Sequence, residues 1–216
     1  MLEKMGEFFD RRLDGYEEHQ LTEIDSAGEF YRFTARLLPT ESSALILDLG
    51  CGTGLELGFY FELNPEAKVT GIDLAEGMLN ELKRKFADKD VTVINGSYFD
   101  VPFGKNCFDA GVSVESLHHF TKDEKLPLYR KLYDALTAGG YFILTDYFAP
   151  SDEAEELYRS ELTRLKVEQG IDDGEFYHYD TPLTVAHETE ALEEAGFAVE
   201  VLRQWGSTWT LRATKK

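Results

Sequence analysis

Short apolar runs alternate with longer amphipathic segments through the middle of the chain. Apolar runs at residues 44–49, 68–73, 91–94 and 108–114 have the length of buried strands in a parallel sheet. The segments between them carry the apolar spacing of helices. Strands that alternate with helices predict an α/β fold, in which helices cover both faces of a mostly parallel sheet.

A further strand is predicted after a pair of glycines. Residues 132–138 have the pattern of a helix, Gly139 and Gly140 indicate a turn, and residues 141–146 have the pattern of a strand. The alternation of strands and helices therefore extends from residue 44 to residue 146.

The regions on either side of this core are predicted to be mainly helical. Residues 1–38 show the apolar spacing of helices, which Pro39 and the polar residues after it bring to an end. Residues 151–169 predict one acidic helix. Residues 170–183 predict an irregular segment that is rich in aromatic side chains.

The end of the chain predicts a capped helix and a pair of strands. Thr184 is the expected N-cap of the helix, and Gly196 is its expected stop. Two strands follow, at about residues 198–204 and 207–214, and the chain turns between them at Gly206.

The first predicted strand ends in a glycine-rich turn. Asp48 is followed by Gly50, Gly52 and Gly54, which gives the pattern D-x-G-x-G-x-G. Glycine lets the chain turn tightly and lets a ligand lie against bare backbone, while the amides of the next helix favour a polar or anionic group. A dinucleotide fingerprint would need its third glycine at Leu55, and a P-loop would end in Gly-Lys-Ser/Thr. The spacing therefore disfavours both of these sites.

An acidic residue ends the second predicted strand. Asp73 falls at the carboxyl end of residues 68–73, which a parallel sheet places beside the glycine turn. A carboxylate there can accept two hydrogen bonds from a ribose diol. The alternative is that Asp73 caps the helix that begins near residue 75. Its distance along the chain from the glycine turn favours the ribose role.

Together these blocks resemble the motifs of the class I S-adenosylmethionine (SAM)-dependent methyltransferases. The resemblance is clear over residues 45–146 and weaker over residues 184–214. It implies a doubly wound, mostly parallel seven-stranded sheet with an antiparallel last strand, and it implies SAM as the cofactor. The cofactor-binding residues that it implies are Tyr16, Asp48, Gly50, Cys51, Gly52, Gly54, Asp73, Leu74, Met78, Ser97, Tyr98 and Val114.

Several of these roles follow only from the resemblance. Leu74 and Met78 would give apolar contacts to the adenine. Ser97 and Tyr98 occupy the positions after the third strand that contact the adenine in the family, where an acid is usual. Tyr16 would lie near the methionine end of SAM, the alternative being that it only packs against a neighbouring helix.

Residues 113–120 resemble the fourth motif of the family and supply the candidate catalytic residues, which are Glu115, His118 and His119. The two histidines are adjacent, so their rings are expected to face different ways. Because adjacent histidines seldom hold one ion together and no third ligand can be named, no metal is predicted.

One domain of four parts is predicted from the 216 residues. The parts are a helical cover at 1–38, a SAM-binding core at 44–146, a cover insertion at 147–183, and a final helix and strands at 184–216. The resemblance implies that both covers fold over the cofactor and help to form the acceptor pocket. Gly170 and Gly174 are candidate hinges of the insertion.

Composition narrows the choice of partners. Net charge is −19, from 41 acidic and 22 basic residues, whereas binding to nucleic acid draws on Lys and Arg. Nucleic acid is therefore an unlikely partner, and a neutral or cationic small molecule is the expected acceptor. No run has the length of a membrane span, so no membrane association is expected; the chain is predicted to be cytoplasmic and a monomer or homodimer.

The predicted activity is methyl transfer from SAM to an oxygen, nitrogen or carbon atom of a small molecule. One alternative is a relative that modifies tRNA wobble uridine with a carboxylated SAM, which the pattern from residue 187 to residue 211 resembles. Residues 174–182, however, hold no Arg or Lys to bind the extra carboxylate. The other alternative is a SAM-binding module without catalysis.

Overall fold

A seven-stranded sheet runs through the computed structural model, which describes residues 1–171 and 175–216. The strands are β1 (Leu45–Leu49), β2 (Lys68–Asp73), β3 (Asp90–Asn95), β4 (Phe108–Val114), β5 (Leu136–Tyr147), β6 (Phe197–Trp205) and β7 (Thr208–Lys215). They lie in the order β3-β2-β1-β4-β5-β7-β6, and β7 is antiparallel to both of its neighbours while the other pairs are parallel. The predicted doubly wound sheet with an antiparallel last strand is confirmed.

Helices cover both faces of this sheet. They are α1 (Met5–Asp10), α2 (Tyr16–Glu23), α3 (Ala27–Leu37), α4 (Leu55–Leu63), α5 (Glu76–Lys85), α6 (Lys122–Ala135), α7 (Asp152–Gln169) and α8 (Val185–Glu194), with a 3₁₀ turn at Leu117–His119. The Thr184 hydroxyl accepts a hydrogen bond from the amide of His187, so the predicted cap of α8 is confirmed. Gly174 lies outside the described residues.

Burial of β1 shows why its residues are apolar on both sides. Ile46 packs into one hydrophobic cluster, with Phe30 of α3 and Tyr60 of α4. Leu47 packs into the other cluster, with Leu132 of α6. Successive side chains of a strand point to opposite faces, so a strand covered by helices on both faces needs apolar residues at successive positions.

The boundary between α6 and β5 differs from the prediction. The helix ends at Ala135, and Leu136 is already extended, fully buried and paired with Phe108 of β4. The register between the strands then shifts before Ala110 pairs with Tyr141, and Gly139 adopts a φ of +77°. The prediction of a helix through residue 138 was wrong because Gly139 lies within an irregular stretch of β5, where pairing with β4 overrides the local pattern.

Two segments that are far apart in the chain pair with each other over one edge of the core. The amide of Met5 donates to the carbonyl of Phe176, and the amide of His178 donates to the carbonyl of Glu3, each at 2.9 Å. Lys4 and Tyr177 form a β-bridge between these bonds. We call this pairing the cover bridge. It holds α1 beside the segment that follows residue 174.

Within residues 1–171 and 175–216, no helix combines the length and the apolar character that crossing a bilayer requires.

Candidate active site

The glycine turn after β1 is held in a conformation that only glycine adopts easily. Gly50, Gly52 and Gly54 have φ values of +77°, +49° and +70°. The amide of Gly50 donates to the carbonyl of Ile72, at the end of β2. A Cβ on Gly50 would lie 2.0 Å from the Ser116 Oγ. The turn therefore brings bare backbone against the loop that follows β4.

Asp73 joins this turn to the next helix. Its Oδ2 accepts a hydrogen bond from the amide of Gly52, and its Oδ1 accepts one from the amide of Ala75, both at 2.8 Å. The bond to Ala75 is not the cap considered from the sequence, because Ala75 is itself the N-cap of α5 and no side chain caps this helix. Burial raises the pKa of Asp73, against the effect of these hydrogen bonds. Each carboxylate oxygen has a second lone pair, so the residue can still accept bonds from a ligand.

A cavity lies over the glycine turn and Asp73. Its empty volume is about 540 Å³, including the part that is open to solvent. We call it the inner cavity. Its walls include eight of the twelve predicted cofactor residues, namely Tyr16, Gly50, Gly52, Asp73, Leu74, Met78, Tyr98 and Val114.

The other four predicted residues do not line the inner cavity. Asp48 and Cys51 are buried in the core. Gly54 faces Phe86, where a Cβ would come within 2.9 Å of the ring. The Ser97 hydroxyl accepts a hydrogen bond from the amide of Phe99. These four residues therefore stabilise the glycine turn and the loop after β3 and do not face the cavity.

The candidate catalytic histidines lie on the 3₁₀ turn after β4, which Asp146 of β5 holds in place. Asp146 Oδ2 accepts hydrogen bonds from the amides of Leu117 and His118, and its Oδ1 lies 2.6 Å from the His118 Nδ1. Burial alone would lower the pKa of His118, but the carboxylates of Asp146 and Asp180 raise it. Asp146 therefore sets both the position and the orientation of the His118 ring.

Both histidine rings turn toward Asp180, which follows the cover bridge. Their centroids are 4.0 Å apart, and Asp180 Oδ1 lies 3.1 Å from the His119 Nδ1 and 3.5 Å from the His118 Nε2. The expectation that the two rings face different ways was wrong, because the tight turn brings them to one side. Burial and the neighbouring His118 lower the pKa of His119 to about 4.

Glu115 stands between this histidine pair and the glycine turn. It has a φ of +51°, unusual for a residue with a side chain, and its Oε1 accepts a 3.4 Å hydrogen bond from the Thr208 hydroxyl. Burial, and then the negative charge of Asp146, raise the pKa of Glu115 to about 8. The structure thus brings all three candidate catalytic residues to the carboxyl end of β4.

A second and larger cavity adjoins the first. Its empty volume is about 1360 Å³, again including the part open to solvent. We call it the outer chamber. Phe9, Tyr16, Glu115 and His119 line both spaces. The outer chamber alone is also lined by Arg11, Arg12, His118, Tyr147, His178 and Asp180.

Comparison with known proteins agrees with this arrangement. The sequence profile of the family described as "Methyltransferase domain" matches residues 46–140. An uncharacterized methyltransferase of Geobacillus sp. (strain WCH70) is 25% identical over 218 residues, which cover all of this chain and 97% of that relative. The chain is a SAM-dependent methyltransferase with the class I fold. SAM is its cofactor.

Two further comparisons place this methyltransferase more broadly. A demethylmenaquinone methyltransferase of Symbiobacterium thermophilum is 29% identical over 152 residues, or 67% of this chain and 59% of that relative. The crystal structure of a SAM-dependent methyltransferase from Mesorhizobium loti has a TM-score of 0.64 at 20% identity, covering 84% of this chain and 95% of that one. The structural likeness shows the shared fold.

The acidic surroundings of the inner cavity fit a cationic cofactor. Asp48 and Glu56 flank the glycine turn and are buried, and three of their four carboxyl oxygens lack a hydrogen-bond partner among the described residues. Burial raises the pKa of both carboxyls, and the charge of Glu56 raises that of Asp48 further. SAM carries a sulfonium and an ammonium group, which acidic neighbours stabilise. The methyltransferase therefore offers a charge environment that suits SAM.

Glu56 and Asp180 are the site residues that sequence reasoning missed. Glu56 carried a local signal, since it is a single acid among the apolar residues 55–61 directly after the glycine turn. Asp180 carried none that spacing could reveal, because only the folded chain brings it to His118 and His119. No pattern in the sequence predicted that Arg11 and Arg12 line the outer chamber.

Proposed function

We propose that this methyltransferase methylates a small molecule held in the outer chamber. The observation that supports this is the shared wall: Glu115 and His119 line both the inner cavity and the outer chamber. SAM supplies an activated methyl group when bound. The protein's main task is then to hold donor and acceptor in reactive geometry.

The residues of the inner cavity divide into three groups in this proposal. Asp73 binds the ribose, and Leu74, Met78 and Tyr98 contact the adenine, with Ser97 fixing the loop that carries Tyr98. The backbone of the glycine turn and Tyr16 face the methionine part of the cofactor. Asp48 and Glu56 lie behind the turn, where a bound cation favours their ionised forms, and Gly54 and Cys51 keep the turn in shape.

The groups on the shared wall act on the acceptor. Glu115 lines both spaces, so it is placed to take a proton from an acceptor that must lose one. His118 and His119 present their rings to the outer chamber and position the reacting atom. Phe9 and Tyr16 line both spaces on the side of α1 and α2, where apolar surface disfavours water near the reacting atoms.

The charges of the outer chamber favour a neutral or cationic acceptor. Asp180 and Asp14 line it, and Glu115 adds a negative charge once it has lost its proton. Arg11 and Arg12 also line it, but both are ion-paired with Glu3, at 3.1 and 3.6 Å. An anionic acceptor would therefore meet carboxylates and arginines that are already paired. The aromatic walls suit a compact acceptor with a planar group.

Replacing Asp73 should weaken the binding of the cofactor. We expect Asp73→Ala to raise the Kd for SAM and for S-adenosylhomocysteine by roughly 10–150-fold, because a charged hydrogen-bond acceptor is worth about 1.5–3 kcal/mol. Isothermal calorimetry measures both constants. Asp109→Ala is the matched control, since Asp109 also accepts a backbone hydrogen bond at a strand, from Leu45, and lines neither cavity. Equal affinities in Asp73→Ala and wild type would remove Asp73 from the cofactor site.

Replacing Tyr147 should affect the acceptor and leave the cofactor unchanged. Of the inner cavity and the outer chamber, Tyr147 lines only the outer chamber, and its ring lies 4.3 Å from that of His118. Once a screen of neutral and cationic aromatic compounds has found a substrate, we expect Tyr147→Ala to raise its KM by roughly threefold to tenfold, the value of one aromatic contact. Calorimetry should find the SAM affinity unchanged.

Tyr158→Ala is the matched control for this experiment, because Tyr158 lines neither of the two spaces. A change in the SAM affinity of Tyr147→Ala with no change in the acceptor KM would place the acceptor elsewhere.

Methyl transfer to tRNA but to no small molecule would overturn the proposed substrate class. Mass spectrometry of the extracted cofactor would reveal a carboxylated SAM by its added mass.

A further inference from the structure

We propose that His118, His119 and Asp180 form a binding site for a divalent transition-metal ion, with Zn²⁺ as the best match. The site lies on the wall of the outer chamber, so the inference that the ion meets the acceptor rests on the proposed function. The ion would be held by His118 Nε2, His119 Nδ1 and Asp180 Oδ1, which lie within 4.8 Å of one another. Two nitrogen ligands and one oxygen ligand are a usual set for zinc.

The distances between these atoms fit the edges of a coordination polyhedron. Zinc lies about 2.0–2.2 Å from His nitrogen and carboxylate oxygen, so the edges of a tetrahedral site measure about 3.3 Å. Asp180 Oδ1 lies 3.5 Å from the His118 Nε2 and 3.1 Å from the His119 Nδ1. Both edges are within about 0.2 Å of this value without any movement of the side chains.

Ion pairs join the same atoms, but at longer distances than a direct hydrogen bond. Where a histidine and a carboxylate in this cluster do bond directly, they approach to 2.6 Å, as His118 Nδ1 and Asp146 Oδ1 do. Asp180 Oδ1 instead stands between two histidine nitrogens and has no hydrogen-bond partner among the described residues. The His119 Nδ1 also lies 3.3 Å from the carbonyl oxygen of Tyr179, a contact that an ion would replace. The Asp180 side chain as a whole is 47% exposed, but its Oδ1 is covered, and an ion would satisfy this oxygen.

The hydrogen bonding of the second ring nitrogen of His118 is typical of a histidine that binds a metal. A histidine that binds a metal almost always gives its other ring N–H to a carboxylate, which fixes the tautomer and the ring orientation. Asp146 does this for His118 Nδ1 and leaves Nε2 free to face Asp180. Asp146 is itself fixed by two backbone amides. The ring therefore needs no rearrangement to bind an ion.

Three protein ligands leave a fourth position open, which is the arrangement of catalytic rather than structural zinc sites. All three ligand residues line the outer chamber. The open position is therefore available to an oxygen or nitrogen atom of the acceptor. Binding there would orient that atom and lower the pKa of a hydroxyl group. The inference thus narrows the acceptor to a compound with such an atom close to the methylated position.

Metal binding can be tested without any methyl acceptor. The full chain is treated with a chelator, dialysed and titrated with ZnCl₂ by isothermal calorimetry. We expect one ion per chain, a loss of affinity of more than about tenfold in Asp180→Asn, and a loss of about 10–100-fold in Asp146→Asn, which removes support from His118. His187→Gln is the matched control. His187 lies on α8 and also contacts two carboxylates, Asp152 and Glu155, but it is not part of the proposed site. This variant should bind zinc as wild type does.

Cobalt gives an independent readout. Co²⁺ in place of Zn²⁺ should show the visible absorption of a four-coordinate ion in wild type and lose it in Asp180→Asn. Absence of zinc binding, or equal binding by wild type and Asp180→Asn, would overturn the site. Circular dichroism and calorimetry with S-adenosylhomocysteine show whether each variant is folded and binds the cofactor. Failure of the metal site with normal cofactor binding and methyl transfer would leave the proposed function standing.

Discussion

Substitution of Gly50 by alanine should destabilise the methyltransferase by about 2–5 kcal/mol and abolish measurable SAM binding. Two costs add. A residue with a Cβ in the left-handed region costs about 1–2 kcal/mol, and overpacking a tight site costs about 1–3 kcal/mol. At Gly50 the new atom would lie 2.0 Å from the Oγ and 2.5 Å from the Cβ of Ser116, so the turn itself must move. Urea unfolding measures the stability, and calorimetry with S-adenosylhomocysteine measures the binding.

Gly139→Ala separates the two costs. Gly139 has the same φ of +77°, but a Cβ there meets no atom within 4 Å. It should lose only the conformational part, about 1–2 kcal/mol, and keep its SAM affinity. If the two variants lose the same stability, close packing against Ser116 does not constrain the turn.

The buried ion pair between α6 and α8 should give the largest loss of stability from a single change of charge. Lys125 Nζ lies 2.5 Å from the Glu188 Oε2, both side chains are 1% exposed, and the Tyr129 hydroxyl donates to Glu188 Oε1. Lys125→Met would leave the Glu188 carboxylate buried without its counter-ion. We expect the free energy of unfolding to fall by about 3–5 kcal/mol, measured with urea.

Two further variants show whether the loss of stability in Lys125→Met comes from the unpaired charge of Glu188. In Lys125→Met/Glu188→Gln the buried charge is gone, so more than half of the lost stability should return. Lys122→Met removes the lysine of an exposed pair with Glu190 on the same two helices, and it should change stability far less. A double variant no more stable than Lys125→Met would mean that packing around the lysine stem matters more than charge.

The order of strands and the glycine turn could be predicted because their signals are local. The apolar run before Asp48 and the glycines after it determine a strand and a turn within a few residues. Asp73 was placed correctly beside the turn because the carboxyl ends of adjacent parallel strands meet at one edge. The structure adds that the carboxylate also holds the turn through Gly52, a contact that spacing along the chain does not reveal.

The parts that could not be predicted depend on contacts between distant segments. Asp180 reaches His118 and His119 because the segment around it is fixed against α1 by the cover bridge and against the histidine turn by a hydrogen bond from the Thr181 amide to the His118 carbonyl. Without that third partner, adjacent histidines predict neither a shared direction nor a metal site. The end of α6 was misplaced for a similar reason, since pairing of Leu136 with β4 decides where the strand begins.

The cover bridge has a consequence for the order in which the protein is completed during synthesis. It joins residues that are far apart in the chain, as the ion pair of Lys4 with Glu175, 171 positions later, shows. A growing chain can pair β1 with β2 and form the glycine turn soon after those strands emerge, because domains fold from the parts already made. Met5, however, gains its backbone partner Phe176, and Phe9 its ring contact with His178, only after residue 178 has emerged. The enzyme therefore forms its SAM site in two stages. A ribosome-bound chain that stops before the cover bridge has the glycine turn but lacks this part of the cavity wall.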